Sequence, residues 1–454
     1  MIGKTEAREF VNFAIKQSKA DQTEVLLTNH DQALTRFANN YIHQNVSESD
    51  TSVAIRVAFG KKIGTAATNS LELRKIKDTV AWAEKIAHVQ KENEDFVSLP
   101  KTRRSDYHAI KTCYAKTTEF SAADRARVVA EIVDVAERNS LNSFGSVSNG
   151  VTEICVANSL GVYAYALSGD LFCNVVMSGK NSTGYAQCGT RDVRKVDFRE
   201  LAEIAAQKAL MSEDPIEIPP GKYTAIFEPL AASEFLDYLA FYAFNGRMFH
   251  EGRSFLSGKL GRKVVDERIM LVDDPLAENG FSFPFDFEGV PKQKIVLINK
   301  GIAKHVVYDS QTAFKHKKKS TGHALGGPNP FGPVPLNLVM KPGNRDLAGM
   351  IKETKRGILV TRFHYTNVID PHKLTFTGMT RDGTFLIENG KVTKGLKNLR
   401  FTENIIDVLN RIEAISKKQI LVASDPGYGP RFATGHVVPA IKVRDFTFTS
   451  ATEF

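Results

Sequence analysis

A chain of 454 residues exceeds what one ordinary hydrophobic core holds, so two or three domains are expected. Its 42% apolar and 24% charged residues exclude a disordered chain, and no apolar run approaches the ~20 residues that cross a bilayer. The net charge of +9 comes without a helix-turn-helix, zinc-finger or RNP-like pattern, so specific nucleic-acid recognition is not expected. The densest basic run, Lys315 to Lys319, precedes a Gly/Pro-rich stretch and reads as a solvated loop. The opening segment is amphipathic and carries acids, with no secretory h-region. Four cysteines (Cys113, Cys155, Cys173, Cys188) make no disulfide framework and no CxxC. A reducing cytoplasm fits these features.

In chain order, Glu6 to Ala20 predicts an amphipathic helix, followed by strands TEVLLT, ALTRFANNYIHQ and TSVAIRVAFG. The segment GKKIGTAAT reads as a turn before the helix LELRKIKDTVAWAEKIA. From Ser121 the order recurs: helix SAADRARVVAEIVDVAER, strands TEICVANS, GVYAYAL and LFCNVVMSG, turn GKNSTGYAQCGT, helix FRELAEIAAQKAL. Two G-K-…-G-x-A turns in matching places point to a duplicated α/β unit, residues 1–92 and 121–215, with a polar crossing over 93–120. Neither turn fits a P-loop or a dinucleotide fingerprint.

The prolines and glycine of EDPIEIPPGKY mark a boundary, and residues 220–454 read as a β-rich C-terminal domain. Ala231 to Phe244 is helix-like and apolar on most faces, so it is expected to be buried. Strands then dominate, from RIMLVDD and KIVLINKG through AKHVVYDS and GILVTRFHYTNVID to AIKVRDFTFTS, with one helix at Thr402 to Ser416. The Asp-Gly of TRDGTF and the Asn-Gly of ENGKV predict hairpin turns. The fold class is α+β: duplicated α/β units on antiparallel sheet, then the β-rich domain with a buried helix.

Candidate chemistry is sparse. His250-Glu251 is not a zincin site, because Ser254 and Phe255 stand where a second histidine on the helix face would be needed. His364, Asp370 and His372 have metal-ligand chemistry, but Pro371 breaks the strand between them. His316 and His323 lie in the basic, glycine-rich loop, and no G-x-S-x-G elbow is present.

The stretch EGRSFLSGKLGRKVVDERIMLVDDP, Glu251 to Pro275, resembles the block after the zinc-binding helix of the TldD/PmbA family, peptidases once described as modulators of DNA gyrase. LVMKPGNRDLAGMIKETKRGILVTRF and TGMTRDGTFLIENGKVTKGLKNLRF resemble that family's C-terminal domain, on its PmbA/TldE-like side. In zinc-bearing members the helix carries HExxxH. Counting back from Leu256–Ser257–Gly258 puts the two histidine positions at Asp237 and Tyr242. Those members also use a cysteine near the C-terminus, and LVASDPGYGPRFATGHVVPAIKV has none.

The resemblance thus implies a member that keeps the fold without a cofactor of its own and pairs with a TldD-like, zinc-bearing subunit, or with itself when alone. Such a complex would cleave small unfolded peptides in a shared cavity. No catalytic residue is assigned; Arg253, His364, Thr380 and Arg381 are placed near a peptide groove. Three alternatives remain: a homodimeric peptide-binding protein without catalysis, a DNA- or topoisomerase-associated regulator, and a peptidase with its metal around His364 and His372.

Overall fold

In the computed structural model, which describes residues 1–103, 106–327, 329–426 and 429–452, the N-terminal half is one six-stranded antiparallel sheet. Helix Lys4–Gln17 leads into β1 (Gln22–Ala38), β2 (Tyr41–Phe59) and β3 (Lys62–Thr68), and helix Leu73–Val89 closes the first unit. Helix Ala122–Arg138, β4 (Asn142–Asn158), β5 (Tyr163–Ser178), β6 (Thr183–Thr190) and helix Phe198–Met211 repeat that order. The two meanders join through β1 and β4, giving the order β3-β2-β1-β4-β5-β6.

All four helices are amphipathic and bury one stripe. Ile76, Val80, Ala83 and Ala87 do so in the first unit, and Val128, Ile132 and Val135 in the second. Ser121 and Asp124 form a reciprocal capping box at the start of the second unit.

The sheet corrects the expected strand divisions. TEVLLT and the start of ALTRFANNYIHQ merge into β1, while YIHQ continues into TSVAIRVAF as β2. The second halves of both G-K segments are β3 and β6 rather than turn. Their inner glycines explain why each segment reads as a turn. A Cβ on Gly64 would lie 2.0 Å from the Ala83 carbonyl oxygen, and one on Gly184 would lie 2.1 Å from that of Ala205. Each glycine therefore lets a helix backbone approach the sheet, once per unit.

The C-terminal domain holds β7 (Gly221–Phe227), β8 (Leu271–Asp273), β9 (Ile295–Asn299), β10 (Ile302–Ala303), β11 (Leu338–Met340), β12 (Arg356–Asp370), β13 (Thr375–Glu388), β14 (Lys391–Gly395), β15 (Leu399–Asn404), β16 (Ile412–Ala423) and β17 (Gly435–Ala451). The path β17-β15-β13-β12-β7 closes on itself because β7 also pairs with β17. Helix Pro229–Tyr238 packs onto this closed set, and Phe227, Phe235, Phe363, Phe376, Phe401 and Phe446 form its aromatic core with ring centroids 4.6–6.5 Å apart. This is the buried helix expected from its apolar sequence.

Asn389 and Gly390, both at positive φ, turn β13 into β14 as expected. The Asp382-Gly383 pair, by contrast, is a positive-φ irregularity inside the continuous β13. The expected helix at 402–416 shrinks to Ile405–Asn410, because β15 and β16 claim its flanks. Only Ile302–Ala303 of the expected strand region around AKHVVYDS is paired as a strand.

The C-terminal domain docks mainly on the second unit. Arg431 places two nitrogens on the Asp170 carboxylate at 2.9 and 2.6 Å, both side chains buried. Arg191 donates to the Ser282 carbonyl at 2.7 Å, and Gln187 to that of Ala423 at 2.9 Å. The first unit reaches across through Arg56, which bonds Glu24 and Glu288 together.

Candidate functional site

The site is built on the apolar helix. Pro229 at its first position fixes the turn out of β7, and the helix continues into a π-helical segment, Leu239–Ala243, marked by the Phe244 N–H bonding the Leu239 carbonyl five residues back. Such π turns are frequent at functional sites. Tyr238 and Tyr242, four residues apart, stack with ring centroids 6.4 Å apart and planes inclined by 23°.

Asp237 Oδ1 lies 3.0 Å from His436 Nε2. His436 Nδ1 accepts the Leu338 N–H at 3.2 Å, so Nε2 carries the proton and donates it to Asp237. His436 is buried, while the Asp237 side chain is 45% exposed, so the carboxylate opens outward from a fixed imidazole. One turn earlier, Glu234 Oε2 accepts a hydrogen bond from the Thr366 hydroxyl at 2.9 Å. Burial and then the Asp237 charge raise the Glu234 carboxyl to about 7.

The adjoining strand β12 kinks beside this helix. Its register with β13 shifts between His364 and Asn367, and Tyr365 sits there at a φ of 49°. β7 accompanies β12 only from Gly357 to Val360; among the described residues no strand pairs with that edge from Arg362 to Asp370. Phe241, Tyr365 and Ile369 on these two elements are exposed. Arg362 bonds Asp382 at 2.8 Å and lies 4.1 Å over the Tyr185 ring of β6, tying the site to the N-terminal sheet. A half-open carboxylate, tyrosine hydroxyls and an unpaired strand backbone can hydrogen-bond an extended chain.

Asp237 and Tyr242 lie five residues apart along the helix and its π-helical continuation, where Asp237 bonds His436 and Tyr242 stacks on Tyr238, and His364 lies beside Arg381 and Arg362. Burial, then those two cations, hold its imidazole below the ordinary histidine range. Thr380 does not face a groove. It is fully buried, and its hydroxyl accepts from Thr384 and from the Leu399 N–H. Arg253 pairs with Glu251 instead. His250 stacks on His316 at 3.7 Å, and His323 leaves the basic loop for the interior, where it bonds Asp273 at 2.8 Å. Glu234 and Thr366 carry no local sequence signal, whereas His436 stands in LVASDPGYGPRFATGHVVPAIKV, the segment that the resemblance singles out for its lack of a cysteine.

The donor set at Asp237 does not fit a zinc ion. Both ring nitrogens of His436 are engaged, Tyr242 is a poor zinc donor, and among the described residues no three His, Cys, Asp or Glu side chains converge to hold a metal. Likewise, no helix among the described residues is long and apolar enough to cross a membrane.

Family models described as PmbA/TldA metallopeptidase domain 1, central domain and C-terminal domain match residues 23–87, 102–213 and 220–450. A metalloprotease of Methanothermobacter thermautotrophicus is 24% identical over 255 residues, which span 54% of this chain and 55% of that protein. The Metalloprotease PmbA homolog of Haemophilus influenzae is 25% identical over 95% of this chain and 94% of its own length. The crystal structure of TldE from Thermococcus kodakarensis superimposes with a TM-score of 0.87 at 25% identity, covering 98% of this chain and all of that one. With all three of its domains matched in order, the chain belongs to the PmbA/TldD family of metallopeptidase-related proteins.

Proposed function

We propose that this chain is the subunit without zinc in a PmbA/TldD-type metallopeptidase assembly that acts on small unfolded peptides. The observation that carries this reading is the Asp237–His436 hydrogen bond. It occupies the place where the family resemblance puts metal ligands, and it leaves a carboxylate facing outward. Beside it runs the β12 edge from Arg362 to Asp370, which among the described residues has no strand partner and carries exposed Tyr365 and Ile369. Main-chain hydrogen bonding to such an edge gives affinity with little sequence selectivity, as a peptidase of unfolded chains requires. In this reading the chain shapes the peptide-holding wall, and a TldD-like partner supplies the zinc.

The test is co-expression with a zinc-bearing family member from the same cell, followed by co-purification and metal analysis. Zinc is expected in the mixed complex at about one per partner subunit and none in this chain alone. Stoichiometric zinc bound to this chain by itself would overturn the proposal. If the chain binds unfolded peptides but no zinc-bearing relative, the stand-alone binding alternative takes its place.

A further inference from the structure

β5 and β6 form the last hairpin of the N-terminal sheet, and its register sets Cys173 directly opposite Cys188. Opposed strand residues share a face, and both thiols lie against the core under helices Ala122–Arg138 and Phe198–Met211. Opposed antiparallel Cα atoms lie roughly 4.5–5.5 Å apart, within the range of about 4.4–6.8 Å that a disulfide bridges. The two free thiols hydrogen-bond one another; that bond, then burial, holds the Cys173 thiol well above its ordinary range. Cys173 is fully buried, whereas Cys188, on the end strand β6, is half-buried. The other two cysteines have no such mate. Cys155 stands opposite Leu27 and Tyr165, and Cys113 lies in the connector, outside the strands.

We propose that Cys173 and Cys188 are a reversible oxidation site, where a hydroperoxide converts the facing thiols into a cross-strand disulfide that clamps β6 to β5. Cys188 is the point of entry, because Cys173 is out of reach of solvent. The Cys188 sulfur, its proton lost to solvent, attacks one peroxide oxygen. The O–O bond breaks, the other oxygen leaves as water or an alcohol, and Cys188 becomes a sulfenic acid. The Cys173 sulfur then attacks the Cys188 sulfur, and the hydroxyl leaves with the Cys173 proton as water. Two electrons pass from the sulfurs to the peroxide, and two small-molecule thiols return them by exchange. The alternate residues of β6 face the C-terminal domain. Gln187 bonds the Ala423 carbonyl, a Cβ on Gly189 would lie 2.2 Å from that of Ala423, and Arg362 lies over the Tyr185 ring. The clamp therefore stiffens the strand on which that domain is seated.

This inference does not rest on the peptide-handling reading, because thiol counting and peptide mapping read the hairpin alone. The purified chain is treated with hydrogen peroxide under native conditions, then unfolded and mapped. Free thiols should fall from four per chain to two, with one bridged peptide pair carrying Cys173 and Cys188, and dithiothreitol should restore all four. Amide exchange across β6 should slow at least roughly fivefold in the oxidised chain. Cys188→Ser, a mild change at a half-buried position, should abolish both the bridge and the slowing. A bridge through Cys113 or Cys155, a bridge between two chains, or a Cys188 that stops at sulfinic acid overturns the proposal. So does a bridged chain whose β6 amides exchange as fast as before.

Discussion

The two N-terminal units share an element order, a strand order and a glycine that admits a helix, yet they differ at one edge. In the second unit, the Gly169 N–H of β5 donates to the Thr112 carbonyl, and Arg191 reaches the Gly169 carbonyl at 3.1 Å and the Ser282 carbonyl of the C-terminal domain. Its edge is occupied by the connector and by docking. In the first unit, no strand among the described residues pairs with the equivalent part of β2. Of the two similar scaffolds, the second seats most of the C-terminal domain's docking contacts, while the first exposes ten consecutive residues of β2, apolar Tyr41, Ile42 and Val46 among them.

The strongest way to break this comparison is to attack the seat. Asp170→Ala leaves the Arg431 guanidinium buried without its carboxylate, which should cost about 3–5 kcal/mol, read as a loss of urea or thermal midpoint. Glu48→Ala on that part of β2 should change stability by less than ~0.5 kcal/mol. Equal effects would mean that the two edges are not in different environments. The shared feature gives the second test. Gly64→Ala and Gly184→Ala each drive a methyl into a helix backbone and should cost ~2 kcal/mol apiece, in both units alike. If only one is costly, helix packing is not duplicated.

A third effect sharpens the contrast between the scaffold and the site it faces. Glu234 has its folded pKa raised from 4.5 to about 7. A raised carboxyl favours the folded state below about 4.5, and that contribution is lost as the pH rises through 7. Glu234→Gln should flatten the fall in stability between those values and gain on the order of 2 kcal/mol at pH 8, the full shift being discounted for partial exposure. Melting curves across pH check it. A variant that keeps the wild-type slope would show that Glu234 is not the group responsible.

The duplication was legible because its signal is local: two G-K-…-G-x-A segments stand at the same place relative to their helices. The division into strands was less so. Gly64 and Gly184 have no side chain to mark a strand, and their reason for being glycine lies on a helix about twenty residues away. Asp382-Gly383 has the letters of a hairpin, yet Arg362 holds Asp382 from β12 and keeps β13 running straight through. The site was half visible. Asp237 and Tyr242 came from the resemblance, but Glu234 is hydrogen-bonded by Thr366, 132 residues on, and Asp237 bonds a histidine 199 residues on. Such pairings, and the burial that raises the Glu234 carboxyl, depend on how the helix lies against the β-strands, which no local pattern encodes.

The central claim concerns what the Asp237–His436 site is for. The most direct measurement is the rate of cleavage of a small unfolded peptide by this chain alone, by a zinc-bearing family member alone, and by the two purified together. Cleavage is predicted only in the mixture, abolished by a zinc chelator and reduced at least tenfold when this chain carries Asp237→Ala. Full activity of the zinc-bearing member alone, unchanged on adding this chain, would contradict it.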